Sequence, residues 1–238
     1  MSEQGGLVGE PGAVVLDLDG TLVDTVETRI RAWLAVFEEF GIPASRALVA
    51  QLIGIDGRRL AREVASTAGQ DLPEGGDDKI DQRCGEIYEG LNRDPRPLPG
   101  ARELLIWLTA QTLPWAIATS SRREQVATSV AALDLPDSPM IVDGTHVERA
   151  KPAPDLLLLV ARQLNRRAAE CWCVGDSTWD MAAAVAAGMV PVGVTAGSAV
   201  TADELTASGA TLVTTTLTEL REEISQAMQR PGPRAGSG

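Results

Sequence analysis

The stretch AVVLDLDGTLVDT, residues 13–25, runs from apolar residues straight into two carboxylates, Asp17 and Asp19, and a glycine. Asp and Gly are poor strand residues, and two acids this close repel each other unless a cation holds them. Other short stretches follow the same plan. WAIATS ends on Thr119 and Ser120, and CWCVGDSTWD ends on Asp176, Ser177 and Asp180. Several carboxylates gathered without His or Cys suit a hard cation with oxygen ligands, and Mg²⁺ fits best. One such ion relieves the repulsion between Asp17 and Asp176 and leaves Asp19 free to move a proton. In ERAKPAPD stands Lys151, one of only two lysines among 21 Lys and Arg residues. Choosing a compact ammonium in so arginine-rich a chain suits a group that neutralises both a carboxylate nucleophile and a phosphoryl oxygen.

These residues need elements to bring them together. Short apolar runs at residues 13–18, 115–120, 140–144, 171–176, 190–195 and 211–215 read as strands. Amphipathic stretches at 123–133, 154–164 and 178–188 separate several of them, and such alternation predicts a parallel sheet covered on both faces. Ligands of open parallel sheets lie beyond the carboxyl ends of the strands. The acids and hydroxyls of three strands are therefore expected on one rim. Residues 26–96 break the rhythm, carrying only helical patterns punctuated by Gly41-Ile42-Pro43, Gly54 to Gly57 and DLPEGG. The predicted organisation is a Rossmann-like, doubly wound α/β core of residues 1–25 and 97–228 with an inserted helical cap at 26–96. A Gly- and Pro-rich tail at 229–238 is expected to be disordered.

The stretches DLDGTLVDT, IATSS, AKPAPD and VGDSTWDMAAAVAAG follow the order and spacing of the four motifs of the haloacid dehalogenase-like hydrolases. The similarity spans residues 13–224. It is closest to the branch of phosphoglycolate phosphatases and β-phosphoglucomutases, which carries a helical cap at this same insertion point. The resemblance implies that Asp17 is a nucleophile forming an aspartyl-phosphate, and that Asp19 acts as general acid and then as base. It implies that Thr119 and the backbone N–H of Ser120 hold the phosphoryl group while Lys151 balances its charge. Asp17, Asp176 and the backbone carbonyl of Asp19 are then the Mg²⁺ ligands, with Asp180 supporting the ion. In the resembled branch, the loop matching GIDGRR selects the leaving group. Arg58 or Arg59 is expected to meet a distal carboxylate or sugar hydroxyls; two solvated helix arginines are the competing reading.

The expected activity is Mg²⁺-dependent hydrolysis of a small-metabolite phosphomonoester of the phosphoglycolate or sugar-phosphate type. Dehalogenases of this superfamily lack an acid at the position of Asp19, so its presence favours phosphate esters. A phosphosugar mutase using the same aspartyl-phosphate is the alternative, and a non-catalytic binding protein on this scaffold ranks below both. The net charge of −12 argues against nucleic acid and anionic membrane as partners. No apolar run approaches the ~20 residues that span a bilayer. MSEQGGLVGEPG lacks the basic and apolar regions of a secretion signal, and three cysteines make no disulfide framework. A cytoplasmic monomer or homodimer is expected. Cys171 and Cys173 read as buried small residues, Trp172 and Trp179 as packing residues, and His146, the lone histidine, as a surface residue with no partner.

Overall fold

The computed structural model describes residues 9–230. Six strands form one sheet: β1 (Ala13–Leu16), β2 (Trp115–Ala118), β3 (Ile141–Val142), β4 (Cys171–Gly175), β5 (Val190–Val194) and β6 (Leu212–Thr214). They are all parallel and ordered β3-β2-β1-β4-β5-β6. Each of the six apolar runs read from the sequence supplies one strand.

The two-residue period of a strand sends alternate side chains to opposite faces. Val14 and Leu16 of β1 join Ile117, Trp172 and Val174 on one face. There they pack on α5 (Ala101–Ala110), α6 (Arg123–Ala132) and α10 (Leu217–Gln229). Ala13 and Val15 point the other way, with Ala116, Ala118, Cys171 and Cys173. That face is covered by α7 (Asp155–Gln163) and α8 (Thr178–Ala187). Both cysteines therefore share one buried face, and the described cysteines are unbridged. α9 (Ala202–Ala207) lies between β5 and β6. Strand order departs in both directions from β1, which places a crevice at the carboxyl ends of β1, β2 and β4.

Four consecutive helices follow β1: α1 (Val26–Glu39), α2 (Arg46–Leu52), α3 (Gly57–Thr67) and α4 (Gly76–Leu91). On α1, Ile30, Trp33, Val36 and Phe37 recur at helical spacing and bury one stripe. They meet Ile80, Cys84 and Tyr88 of α4 and residues of α2 and α3 in an apolar cluster of their own. Trp33 and Phe37 stack with ring centroids 5.5 Å apart. The chain enters and leaves this insertion side by side. Asp24 donates its backbone N–H to Arg96 at 2.9 Å, and Leu98 donates to Leu22 at 2.9 Å.

α10 continues to Gln229, so the tail expected from residue 229 starts no earlier than residue 230. Residues 231–238 lie outside the described part. Among the described residues no helix is long and apolar enough to cross a membrane.

Candidate active site

Asp17 is the first residue past β1, and its backbone N–H is held by the carbonyl of Val174 on the neighbouring strand at 2.9 Å. Thr119 follows β2, and Asp176 follows β4. Lys151 arrives from the segment before α7, and its Nζ lies 2.5 Å from Asp17 Oδ1 and 2.7 Å from Asp180 Oδ1. It also donates to the carbonyl of Ala118 at 2.7 Å. Lys151, Asp176 and Asp180 are buried; Asp17, at 8% exposure, opens onto a cavity.

Asp180 has two duties. Its Oδ2 accepts from the backbone N–H and hydroxyl of Ser177 at 3.1 and 2.5 Å, completing a capping box at the start of α8. Its Oδ1 faces Lys151. The S-x-x-D spacing thus uses this acid as well as Ser177 in the cap of α8.

Asp17, Asp176 and Asp180 each offer an oxygen within 4.8 Å of the others. One ammonium balances three buried carboxyls only in part. Burial, opposed by Lys151, pushes the Asp17 carboxyl up. Burial and the neighbouring acids push Asp176 up well beyond the usual range. The same acids, outweighing burial, hold Lys151 firmly protonated. An all-oxygen donor set with surplus negative charge fits a hard divalent cation, and Mg²⁺ in particular. Thr21 orients one ligand by donating to Asp176 Oδ1 at 3.0 Å. Gly20 makes room for the other oxygen, because a Cβ there would fall 2.3 Å from Asp176 Oδ2.

Asp19 turns away from this cluster. Its Oδ2 meets Arg29 of α1 at 2.8 Å and the hydroxyl of Ser121 at 2.8 Å. Its Oδ1 accepts from Thr25 at 2.6 Å and from Tyr88 of α4 at 3.2 Å. Burial alone would raise this carboxyl, but Arg29 and the hydrogen bonds from Thr25, Arg29 and Ser121 outweigh it and hold it low. Arg29 is itself anchored by Gln125 at 2.9 Å, and its guanidinium lies 3.6 Å from the Tyr88 ring centre. Thus Thr25, the residue before α1, spends its hydroxyl on Asp19 and leaves that helix without a side-chain cap.

A cavity of about 440 Å³ opens between the sheet rim and the inserted helices. Asp17, Asp19, Thr119 and Ser120 line the rim end. Trp33, Ile55, Asp56 and Arg58 line the cavity from the insertion. Ser120 Oγ is buried there with no hydrogen-bond partner among the described residues, as a hydroxyl kept for a ligand would be. Thr119 Oγ1 accepts from the backbone N–H of Ser121 at 3.1 Å. Neither hydroxyl caps α6, whose cap position is Arg122.

Comparison with known proteins bears on this arrangement. Residues 14–194 match the haloacid dehalogenase-like hydrolase family, a span that takes in every rim residue and all four inserted helices. The chain belongs to that family. Its haloacid dehalogenase-like relatives include the β-phosphoglucomutase of Bacillus subtilis, 31% identical over 191 residues, covering 78% of this chain and 84% of the relative. The phosphoglycolate phosphatase of Neisseria gonorrhoeae is 32% identical over 191 residues, covering 78% and 80%. Among solved haloacid dehalogenase-like folds, a hydrolase from Pseudomonas syringae superposes with a TM-score of 0.86 at 30% identity, covering 90% of this chain and 98% of that one.

The family motifs account for the rim, whereas the surroundings of Asp19 escaped the sequence reading. Thr25, just before α1, and Arg29, in its first turn, stand four residues apart, a spacing that could have flagged them. Tyr88, Ser121 and Gln125 offered no comparable signal. Of the two loop arginines, Arg58 lines the cavity, near Asp56 Oδ2 at 3.5 Å and the Glu148 carbonyl at 3.3 Å. Arg59 pairs with Glu63 and lies 5.5 Å from the Trp179 ring centre, away from the cavity lining. Trp179 ties α8 to the insertion by donating to the Gln51 carbonyl at 2.9 Å. His146 is exposed, as expected, and has partners that the sequence did not name. Its Nδ1 accepts from the backbone N–H of Asp143 at 3.1 Å, and its Nε2 sits 2.9 Å from Arg123.

Proposed function

We propose that this chain hydrolyses small-metabolite phosphomonoesters through an aspartyl-phosphate on Asp17. The observation that carries the reading is Asp17 itself, placed between a buried Lys151 and an open cavity, with the unpartnered hydroxyl of Ser120 beside that opening. Asp17 attacks phosphorus as the ester P–O bond breaks; Asp19, having taken a proton from solvent on leaving Arg29 and Thr25, gives it to the departing oxygen. Water then attacks the acyl phosphate. Asp19, held as a carboxylate by Arg29, Thr25 and Ser121, takes the water's proton while phosphate leaves.

Thr119 and the backbone N–H of Ser120 position the phosphoryl oxygens, and Lys151 offsets their charge. Asp17, Asp176, Asp180 and the backbone carbonyl of Asp19 are the residues that would hold Mg²⁺. When bound, the ion supplies charge neutralisation to the carboxylates and the phosphoryl oxygens. A reducing, cytoplasmic setting suits the unbridged cysteines.

The likeness to the B. subtilis β-phosphoglucomutase supports a second reading, a phosphosugar mutase with the same first half-reaction. A phosphate-release screen over phosphorylated metabolites, with and without Mg²⁺, tests the proposal. Free phosphate produced only with Mg²⁺ supports hydrolysis. Isomerised sugar phosphate supports the mutase, and no reaction with any ester refutes both.

A further inference from the structure

Three guanidinium groups face the cavity, and each is already committed to groups of the protein. Arg29 is bound to Asp19, Ser121 and Gln125, with one face on Tyr88. Arg122 is gripped from two sides. Its Nε donates to Asp81 Oδ2 at 2.9 Å and its Nη2 to Asp78 Oδ1 at 2.7 Å. Arg58 is turned to Asp56 and the Glu148 carbonyl.

Among the residues lining the cavity besides the Asp17–Asp19 rim, the carboxylates of Asp56, Asp78, Asp81 and Glu148 outnumber the guanidiniums of Arg58 and Arg122. Asp81 is built in closely, since a Cβ on Gly57 would fall 1.9 Å from its Oδ1. A second negative group on a substrate meets excess negative charge here and no unpaired cation. Hydroxyl groups meet the reverse, because carboxylates bound to one arginine keep lone pairs that accept O–H donors. Trp33 and Ile55 add apolar wall for the C–H face of a sugar ring. A volume of about 440 Å³ lies in the range of small-molecule sites and exceeds what a two-carbon acid fills.

We propose that this acid-rich lining selects a hydroxyl-rich leaving group free of negative charge, so that sugar monophosphates are preferred over phosphocarboxylic acids and bisphosphates. Asp78 and Asp81 are the specificity-determining residues, acting by holding Arg122 away from substrate anions. The inference rests on the phosphatase reading and narrows its substrate class.

The test measures kcat/KM with Mg²⁺ for p-nitrophenyl phosphate, hexose and pentose monophosphates, phosphoglycolate and 3-phosphoglycerate. The best sugar phosphate should exceed phosphoglycolate by about tenfold or more, the size of a single well-placed discrimination. In Asp81→Asn, and separately in Asp78→Asn, the ratio should move about tenfold toward phosphoglycolate as Arg122 is released. The ratio is internal to each preparation, so a poorly folding variant does not distort it, and either variant suffices. Turnover of p-nitrophenyl phosphate without a sugar preference overturns the inference and leaves the phosphatase reading intact. Ratios unchanged in both folded variants overturn the assignment to Asp78 and Asp81. Isomerisation without release, or no reaction with any ester, overturns inference and phosphatase reading together.

Discussion

Arg29 shows how much one side chain can organise. It leaves the first inserted helix, reaches the sheet rim, and joins Asp19 to Ser121 and Gln125 while stacking on Tyr88. Both members of the Arg29–Asp19 pair are about nine-tenths buried, so removing the cation strands a carboxylate that water cannot solvate well. Arg29→Ala should cost about 3 kcal/mol, the usual price of breaking a buried pair, moderated by the remaining hydroxyl donors. Urea denaturation checks this, and a loss below about 0.5 kcal/mol, typical of an exposed pair, contradicts the buried geometry. Lys151 is likewise sheathed by Asp17 and Asp180, and its rarity in an arginine-rich chain made it legible. Arg29 carried no such mark. Its partners stand from 10 to 96 residues away along the chain, and only tertiary packing reveals the convergence.

At the scale of elements, the strands were the most legible feature. Runs such as Ala13–Leu16 and Cys171–Gly175 are buried on both faces and read as short continuous apolar segments. The turn after β1 was legible as a motif but not as geometry. Gly20 adopts φ +84°, and its bare α-carbon lies against Asp176. Gly20→Ala should lose about 1–2 kcal/mol from the left-handed backbone alone. It should also displace Asp176 and weaken Mg²⁺ affinity by about tenfold or more, in line with disturbed ligand orientation. Isothermal titration with Mg²⁺ reads the second effect; unchanged affinity would remove Asp176 from the ligand set. In the cap of α8 the S-x-x-D pattern uses Asp180, whose other oxygen faces Lys151. His146 is at the surface as expected, and its backbone partner, the N–H of Asp143, is invisible to side-chain pattern reasoning.

For the whole molecule, the crevice at the strand-order reversal and the four-helix insertion above it enclose one cavity. On the proposed function, the sheet supplies charge for a phosphoryl group, and the insertion supplies the wall that meets the rest of the substrate. A cation that binds only the folded state stabilises it by mass action. Mg²⁺ at a hundred times its Kd should add about 2.7 kcal/mol, or roughly 5–10 °C in Tm for a domain of this size. Thermal unfolding with Mg²⁺ and with EDTA measures this, and identical Tm values would show that the acid cluster holds no Mg²⁺. The central claim concerns Asp17. Phosphate release by the wild-type chain and by Asp17→Asn, compared with Mg²⁺ and p-nitrophenyl phosphate, tests it most directly. The account predicts steady release by the wild type and a loss of about 10³-fold or more in a variant that still folds; equal release by the two proteins would contradict it.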